Sequence, residues 1–233
     1  MIEDRFFSIK KSIPKNVKIL AISKNQDISS IKKLYKIGHR DFGENYIQEI
    51  VKKYKKLPKD IRWHMIGKIQ SNKLKYIIPF IHLIHSVQNI KQINIINQIA
   101  FKHKKIINCL LQIKISNEKN KSGITSQEAS KILENNTLKY IKNIKIIGIM
   151  GMASFQELTK VHNEFSYLQK LYNKYKNKYG HSILSMGMSR DYNIAIKYGS
   201  TIVRLGTLIF GDRKKLYDRF YESFDAFFQF IFI

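Results

Sequence analysis

Cysteine is almost missing from the 233 residues: Cys109 stands alone. No intrachain disulfide can form, and metal sites built on cysteine are excluded. Its apolar setting, "INCLLQI", reads as a buried and inert thiol. Acidic residues are scarce too, with 17 Asp and Glu against 42 Lys and Arg, a formal net charge of +25. Such an excess ordinarily suggests nucleic acid or an anionic surface as partner. Here the 35 lysines face only 7 arginines and accompany 40 isoleucines and 17 asparagines, the mark of an A/T-rich coding bias. No specific nucleic-acid partner is expected. Long apolar runs are also absent. The start, "MIEDRFFSIKK", lacks the apolar core and cleavage site of a signal peptide, and the tail "FDAFFQFIFI" is too short to cross a membrane. The chain reads as cytoplasmic, with no membrane partner.

What is present is a rhythm. Strand-like runs occur at 17–23, 39–45, 62–67, 81–87, 107–116, 144–152, 181–189 and 200–211. Helical patterns stand between them: "DISSIKKLYKIG" with Asp27 as cap and Gly38 past its end, a helix in "SNKLKYIIPF" ended by Pro79, "TSQEASKILEN" capped by Thr125, and a long polar helix from about Phe155 to Tyr179. No linker or repeat interrupts them. Apolar strands separated by helices belong to a parallel sheet covered on both faces. Eight such units predict a single α/β domain over 1–233, a closed (β/α)8 TIM barrel with its core at about 17–211. An open doubly wound sheet would bring a glycine-rich turn after the first strand, and "SKNQD" has no glycine.

Barrel active sites lie at the C-terminal ends of strands. That rule selects Lys24 in "ILAISKNQD", and with it Asn45, Met65 to Gly67, Ser116 and Asn117, Met188 and Ser189, and Arg204 to Thr207. The loops after strands seven and eight, "GMS" and "GT", offer small residues and hydroxyls suited to a phosphate. A lysine among apolar strand residues is pushed toward its neutral, nucleophilic form. Lysine opposite a phosphate cradle suits pyridoxal 5′-phosphate; an aldolase-type barrel or a plainly solvated lysine remains open on position alone.

"AISK", "FGENYIQE", "WHMIGKIQSNK", "KSGI", "SMGMSRD" and "VRLGTLIFG" follow in order, and together they resemble the pyridoxal phosphate homeostasis protein family over roughly Val17 to Gly211. The resemblance implies a barrel similar to the alanine racemase N-terminal domain, with pyridoxal 5′-phosphate held as a Schiff base on Lys24. It places Asn45 beside the cofactor, Ser189, Gly206 and Thr207 at its phosphate with Met188 flanking them, and Arg204 at the pyridine nitrogen. Arginine only donates, so it disfavours protonation of that nitrogen and restrains carbanion chemistry. The implied role is a carrier or regulator of the cofactor without established catalysis, its partners being the cofactor and the enzymes that receive it. A small enzyme such as a weak racemase is the alternative. No catalytic acid or base and no metal ligand is identified, and 233 residues leave no room for a racemase's second domain. A monomer or weak dimer is expected.

Other residues invite plainer readings. His64 is expected to be a hydrogen-bonded structural histidine, and His82 and His85 to face opposite sides of one strand. Glu44 is a candidate acid or an ion-pair partner, Lys121 a second anion contact or a solvated lysine. Arg190 stands where many relatives carry an acidic residue. The segment before the first strand looks too short to seal the barrel bottom. The tail 214–233 suits an added helix, a dimer contact or a reading-frame accident.

Overall fold

The alternation of strand and helix is realised as one closed barrel. The computed structural model describes residues 1–118, 121–135, 140–155 and 158–211; the tail 214–233 lies outside them. The strands are β1 (Lys18–Ile22), β2 (Asp41–Glu44), β3 (Arg62–Met65), β4 (Leu83–Val87), β5 (Ile107–Ile113), β6 (Ile144–Gly151), β7 (Ile183–Met188) and β8 (Ile202–Leu205). Each pairs in parallel with the next, and β8 returns to β1 with Leu20 opposite Arg204.

The helices are α1 (Ile2–Ser12), α2 (Ile28–Lys36), α3 (Ile47–Lys56), α4 (Ile90–Lys102), α5 (Ser126–Glu134), α6 (Leu158–Tyr179), α7 (Tyr192–Lys197) and α8 (Thr207–Phe210). Asp27 starts α2 by accepting the N–H of Ser30 at 2.6 Å, and Gly38, at φ 90°, turns the chain after it. Thr125 and Glu128 form a reciprocal capping box on α5. The helices bury apolar stripes: Ile31 and Leu34 of α2 are fully buried, as are Phe165 and Leu168 of α6. Burial of such a side chain contributes about 1.5–3 kcal/mol.

Alternation along the strands divides the core. Leu20, Leu83, Leu110, Met150 and Ile202 form a cluster of their own inside the barrel, joined by Ile22 and Ile66. The larger cluster packs between sheet and helices. Residues two positions along from an inner residue also face inward, so the row Leu20, Ile22 leads to Lys24, and Ile202 leads to Arg204.

Several expectations need correction. The helix expected in "SNKLKYIIPF" is present as a 3₁₀ helix, Ser71–Tyr76, and stops before Pro79, which has no N–H. The eighth run is not all strand. It ends at Leu205, and α8 begins at Thr207 because Ser189 Oγ takes the N–H groups of Gly206 and Leu208 at 3.2 and 3.5 Å. β5 stops at Ile113, where Lys114 N–H turns to Ile124 O at 2.8 Å. The N-terminal segment is long enough for an 11-residue helix that buries Phe6 and Ile9. Phe6 and Lys10 of this helix line a 370 Å³ cavity at the barrel bottom.

Candidate functional site

Lys24, Asn45, Met188, Ser189, Arg204, Gly206 and Thr207 all line one cavity of about 620 Å³ at the C-terminal ends of the strands. Topology brings them together from β1, β2, β7 and β8, which are neighbours in the closed sheet. Lys24 is half-buried at the mouth rather than sunk among strand residues, with Nζ 5.3 Å from the centre of the Tyr46 ring.

The loop carrying Lys24 is tied down from behind. Asn25 adopts φ 58°, a left-handed conformation asparagine tolerates, and donates its N–H to Glu49 Oε2 at 3.2 Å. Lys53 Nζ reaches Ser23 O at 2.7 Å, Glu44 Oε1 at 2.7 Å and Glu49 Oε2 at 2.8 Å, and Ser23 Oγ donates to Glu44 Oε1 at 2.6 Å. Lys53, Glu44 and Glu49 are buried, so two carboxyls share one ammonium. Burial pushes the Glu44 carboxyl up, and contact with Glu44 and Lys53 holds Glu49 down. One proton between the two carboxyls balances the cluster. Glu49 is therefore the charged partner of Lys53, while Glu44 holds the loop by its hydrogen bonds to Ser23 and Lys53 and does not line the cavity.

Asn45 is placed by a contact that only glycine permits. A Cβ on Gly67 would lie 2.1 Å from the Asn45 carbonyl oxygen. On the far wall, Gly187, at φ 92°, makes the tight exit from β7, where a Cβ would meet Ala195 Cβ at 2.6 Å. Asp191 then accepts the Met188 N–H at 2.6 Å. Ser189 and α8 thus meet at one corner of the cavity.

Arg204 forms the floor. It is buried, with Nη1 donating to Ser185 O at 2.8 Å and Ser185 Oγ at 3.0 Å, and Nη2 to Gly151 O at 2.9 Å. Burial lowers the guanidinium to about 10. These bonds use three of its five N–H groups, so donors remain on a residue that lines the cavity.

Other predicted residues fall elsewhere. Ser116 is buried on Ser154 at 2.8 Å, and Met65 is packed in the core. Lys121 Nζ lies 3.9 Å from Glu118 and is not on the cavity wall. Arg190 lines the cavity, yet its guanidinium stacks on Phe155 at 4.5 Å and donates to the Phe155 carbonyl, joining two loops. Gln112, Met150 and Ser154 also line the cavity and were missed. Gln112 had a signal, a lone amide in the apolar run "INCLLQI".

The histidines behave differently from expectation in one respect. His82 precedes β4, so strand alternation does not apply, and the rings of His82 and His85 both lie 5.2 Å from that of His64. Asp41, His64 and His82 bring one ligand atom each within 4.8 Å. Arg62 already holds both Asp41 oxygens, at 2.7 and 2.6 Å, and His64 Nε2 faces the same carboxylate at 3.2 Å. The cluster is an ion pair with a histidine on it. No helix among the described residues is long and apolar enough to cross a membrane.

The alanine racemase N-terminal domain model matches residues 2–214. A pyridoxal phosphate homeostasis protein of Aquifex aeolicus (strain VF5) is 36% identical over 201 residues, 84% of this chain and 87% of that protein. One from Schizosaccharomyces pombe is 37% identical over 205 residues, 85% of each. Among solved structures, PipY of Synechococcus elongatus PCC7942 without pyridoxal phosphate superposes with a TM-score of 0.84 at 30% identity, covering 91% of this chain and all of PipY. The form of PipY with pyridoxal phosphate bound gives 0.81. The chain belongs to the alanine racemase N-terminal domain family and, within it, to the pyridoxal phosphate homeostasis proteins.

Proposed function

We propose that this chain binds pyridoxal 5′-phosphate covalently through Lys24 and acts as a carrier and regulator of the cofactor, residues 1–233 working as one unit. The observation that carries this reading is the single cavity holding Lys24 at one wall, the Ser189, Gly206 and Thr207 corner at another, and an unspent Arg204 donor on the floor. In this reading Ser189, Gly206 and Thr207 take the phosphate, with Met188 beside them. Asn45 borders the ring, and Arg204 faces the pyridine nitrogen. When bound, the cofactor supplies an aldehyde for the amine and a ring that withdraws electrons. Arg204 cannot give the ring nitrogen an acidic partner, so it weakens that withdrawal.

A role without turnover is supported by how the cavity's acid is used. Asp191, its one carboxylate among the described residues, is committed to the Met188 N–H. An acid or base must stand within hydrogen-bond reach of the reacting proton, and the bond to Met188 directs the Asp191 carboxylate to the exit of β7.

The test is the visible spectrum of the purified protein before and after borohydride, with peptide mapping. Label on Lys24, lost in a folded Lys24→Ala protein, is the expected result; label retained by that variant would overturn the assignment. Incubation with a panel of D- and L-amino acids is expected to give no inversion, and inversion that disappears with Lys24→Ala would replace the carrier with a racemase.

A further inference from the structure

From the floor of the cavity a line of buried polar groups runs the length of the barrel interior. Arg204 Nη1 meets Ser185 Oγ at 3.0 Å, Ser185 Oγ meets His85 Nδ1 at 3.1 Å, His85 Nε2 meets His64 Nδ1 at 3.0 Å, and His64 Nε2 meets Asp41 Oδ1 at 3.2 Å. Five strands contribute, β8, β7, β4, β3 and β2. At the bottom Asp41 is closed by the exposed Arg62.

The two ends fix the direction of every bond. A guanidinium only donates, and a carboxylate only accepts. Read from Asp41 with both imidazoles neutral, the line ends with Ser185 accepting from Arg204 and donating to His85 Nδ1. His85 must carry its proton on Nε2 and donate to His64 Nδ1, and His64 must carry its own on Nε2 and donate to Asp41. Every group has one donor and one acceptor role, and none conflicts. Both imidazoles are neutral in this arrangement, and burial lowers both below the ordinary 6.5. Each dipole points its negative end at Arg204 and its positive end at Asp41, so the line stabilises two separated charges at once. Arg204 has no carboxylate among its hydrogen-bond acceptors. Asp191 acts on it through space, and the hydrogen-bonded route to a carboxylate is this line to Asp41.

We infer that Ser185, His85, His64 and Asp41 are positioning residues that act through Arg204: a one-directional hydrogen-bond line holds the guanidinium charged and aimed at the cavity, and so sets the protonation of a ring nitrogen bound there. The inference rests on the reading that the cavity takes pyridoxal phosphate with its ring nitrogen toward Arg204. Asp41 does not line the cavity, and it is joined to Arg204 by the line.

The experiment loads the full chain with pyridoxal phosphate carrying ¹⁵N in its ring. Three quantities are read: borohydride-trapped label on Lys24, the ring-nitrogen NMR shift, and the dissociation constant of the cofactor. Ser185→Ala cuts the line beside Arg204 while leaving its two carbonyl contacts. It is expected to keep the Lys24 label, move the ring-nitrogen shift toward the pyridinium value and weaken binding about tenfold, the scale of a hydrogen bond to a charged group. Asp41→Asn is expected to move the shift in the same direction from the other end. His85→Gln, whose amide both donates and accepts, is expected to stay close to wild type, while His85→Leu should behave as Ser185→Ala. A merely structural role would lower thermal stability and leave the ring-nitrogen shift in place. If Ser185→Ala and His85→Leu fold, retain the Lys24 label and show the wild-type shift, the inference is overturned and the cofactor reading stands. Absence of label in the wild type overturns both.

Discussion

Lys53, on α3, donates to the carbonyl of Ser23 over 2.7 Å, so the residue just before Lys24 is held by a side chain 30 positions away. The same ammonium contacts both Glu44 and Glu49, and with one proton on the pair the cluster is neutral. The placement of Lys24 is thus tied to a buried ionic cluster that itself stays out of the cavity.

Lys53→Met leaves two buried carboxyls without their cation. Breaking a buried pair from one side costs about 3 kcal/mol or more. Urea unfolding at neutral pH is expected to show that loss, with weakened cofactor retention as the Lys24 loop slackens. Wild-type stability in this variant would mean the cluster is fully relieved by protonation.

Glu44 gives a pH signature of definite sign. Burial raises it from 4.5 to about 8. Between these values the folded state keeps a proton that the unfolded state has lost, so stability declines as pH rises through the window. Glu44→Gln keeps the shape and cannot ionise. Its stability relative to wild type should therefore improve steadily from pH 5 to pH 8, read from urea midpoints; a constant difference would refute a raised Glu44.

His181 acts in the opposite sense. It is 2% exposed, and neither ring nitrogen has a partner among the described residues. Burial lowers it to about 4 from 6.5. The unfolded state binds the extra proton between those values, so the stability this group contributes at neutral pH is lost as pH falls toward 4. His181→Phe places an apolar ring beside Tyr175 and Tyr179 and removes two unsatisfied atoms. It is expected to stabilise by about 1 kcal/mol and to flatten the decline between pH 6.5 and 4.

Gly67→Ala tests how the second strand's end is held. Its Cβ would fall 2.1 Å from the Asn45 oxygen, a backbone atom that cannot step aside alone. A cost of about 1–3 kcal/mol and a fall of roughly 5 °C in melting temperature are expected, with weaker cofactor binding because Asn45 moves. An unchanged melting curve would show that the rim is pliable there.

Much of the molecule was legible in the residues. Short apolar runs spaced by capped amphipathic helices leave few arrangements other than a parallel barrel, since strands so apolar must be covered on both faces. Strand-end position then picked out Lys24, and "GMS" and "GT" the corner opposite it. The misreadings lie where a local pattern met a tertiary contact. "STIVRLGTLIFG" reads as one strand, yet it breaks at Gly206, where Ser189 captures the N–H groups of Gly206 and Leu208.

Local sequence therefore determined the elements, their order and which residues reach the rim, because periodicity and turn chemistry act within a few residues. The tertiary structure alone decided the partnerships. Lys53 with Glu44, Gly67 against Asn45, and the line from Arg204 to Asp41 join residues from different strands and helices. Their pairing depends on barrel closure and stagger, which set strand ends, a helix and inward-facing side chains of separate strands beside one another.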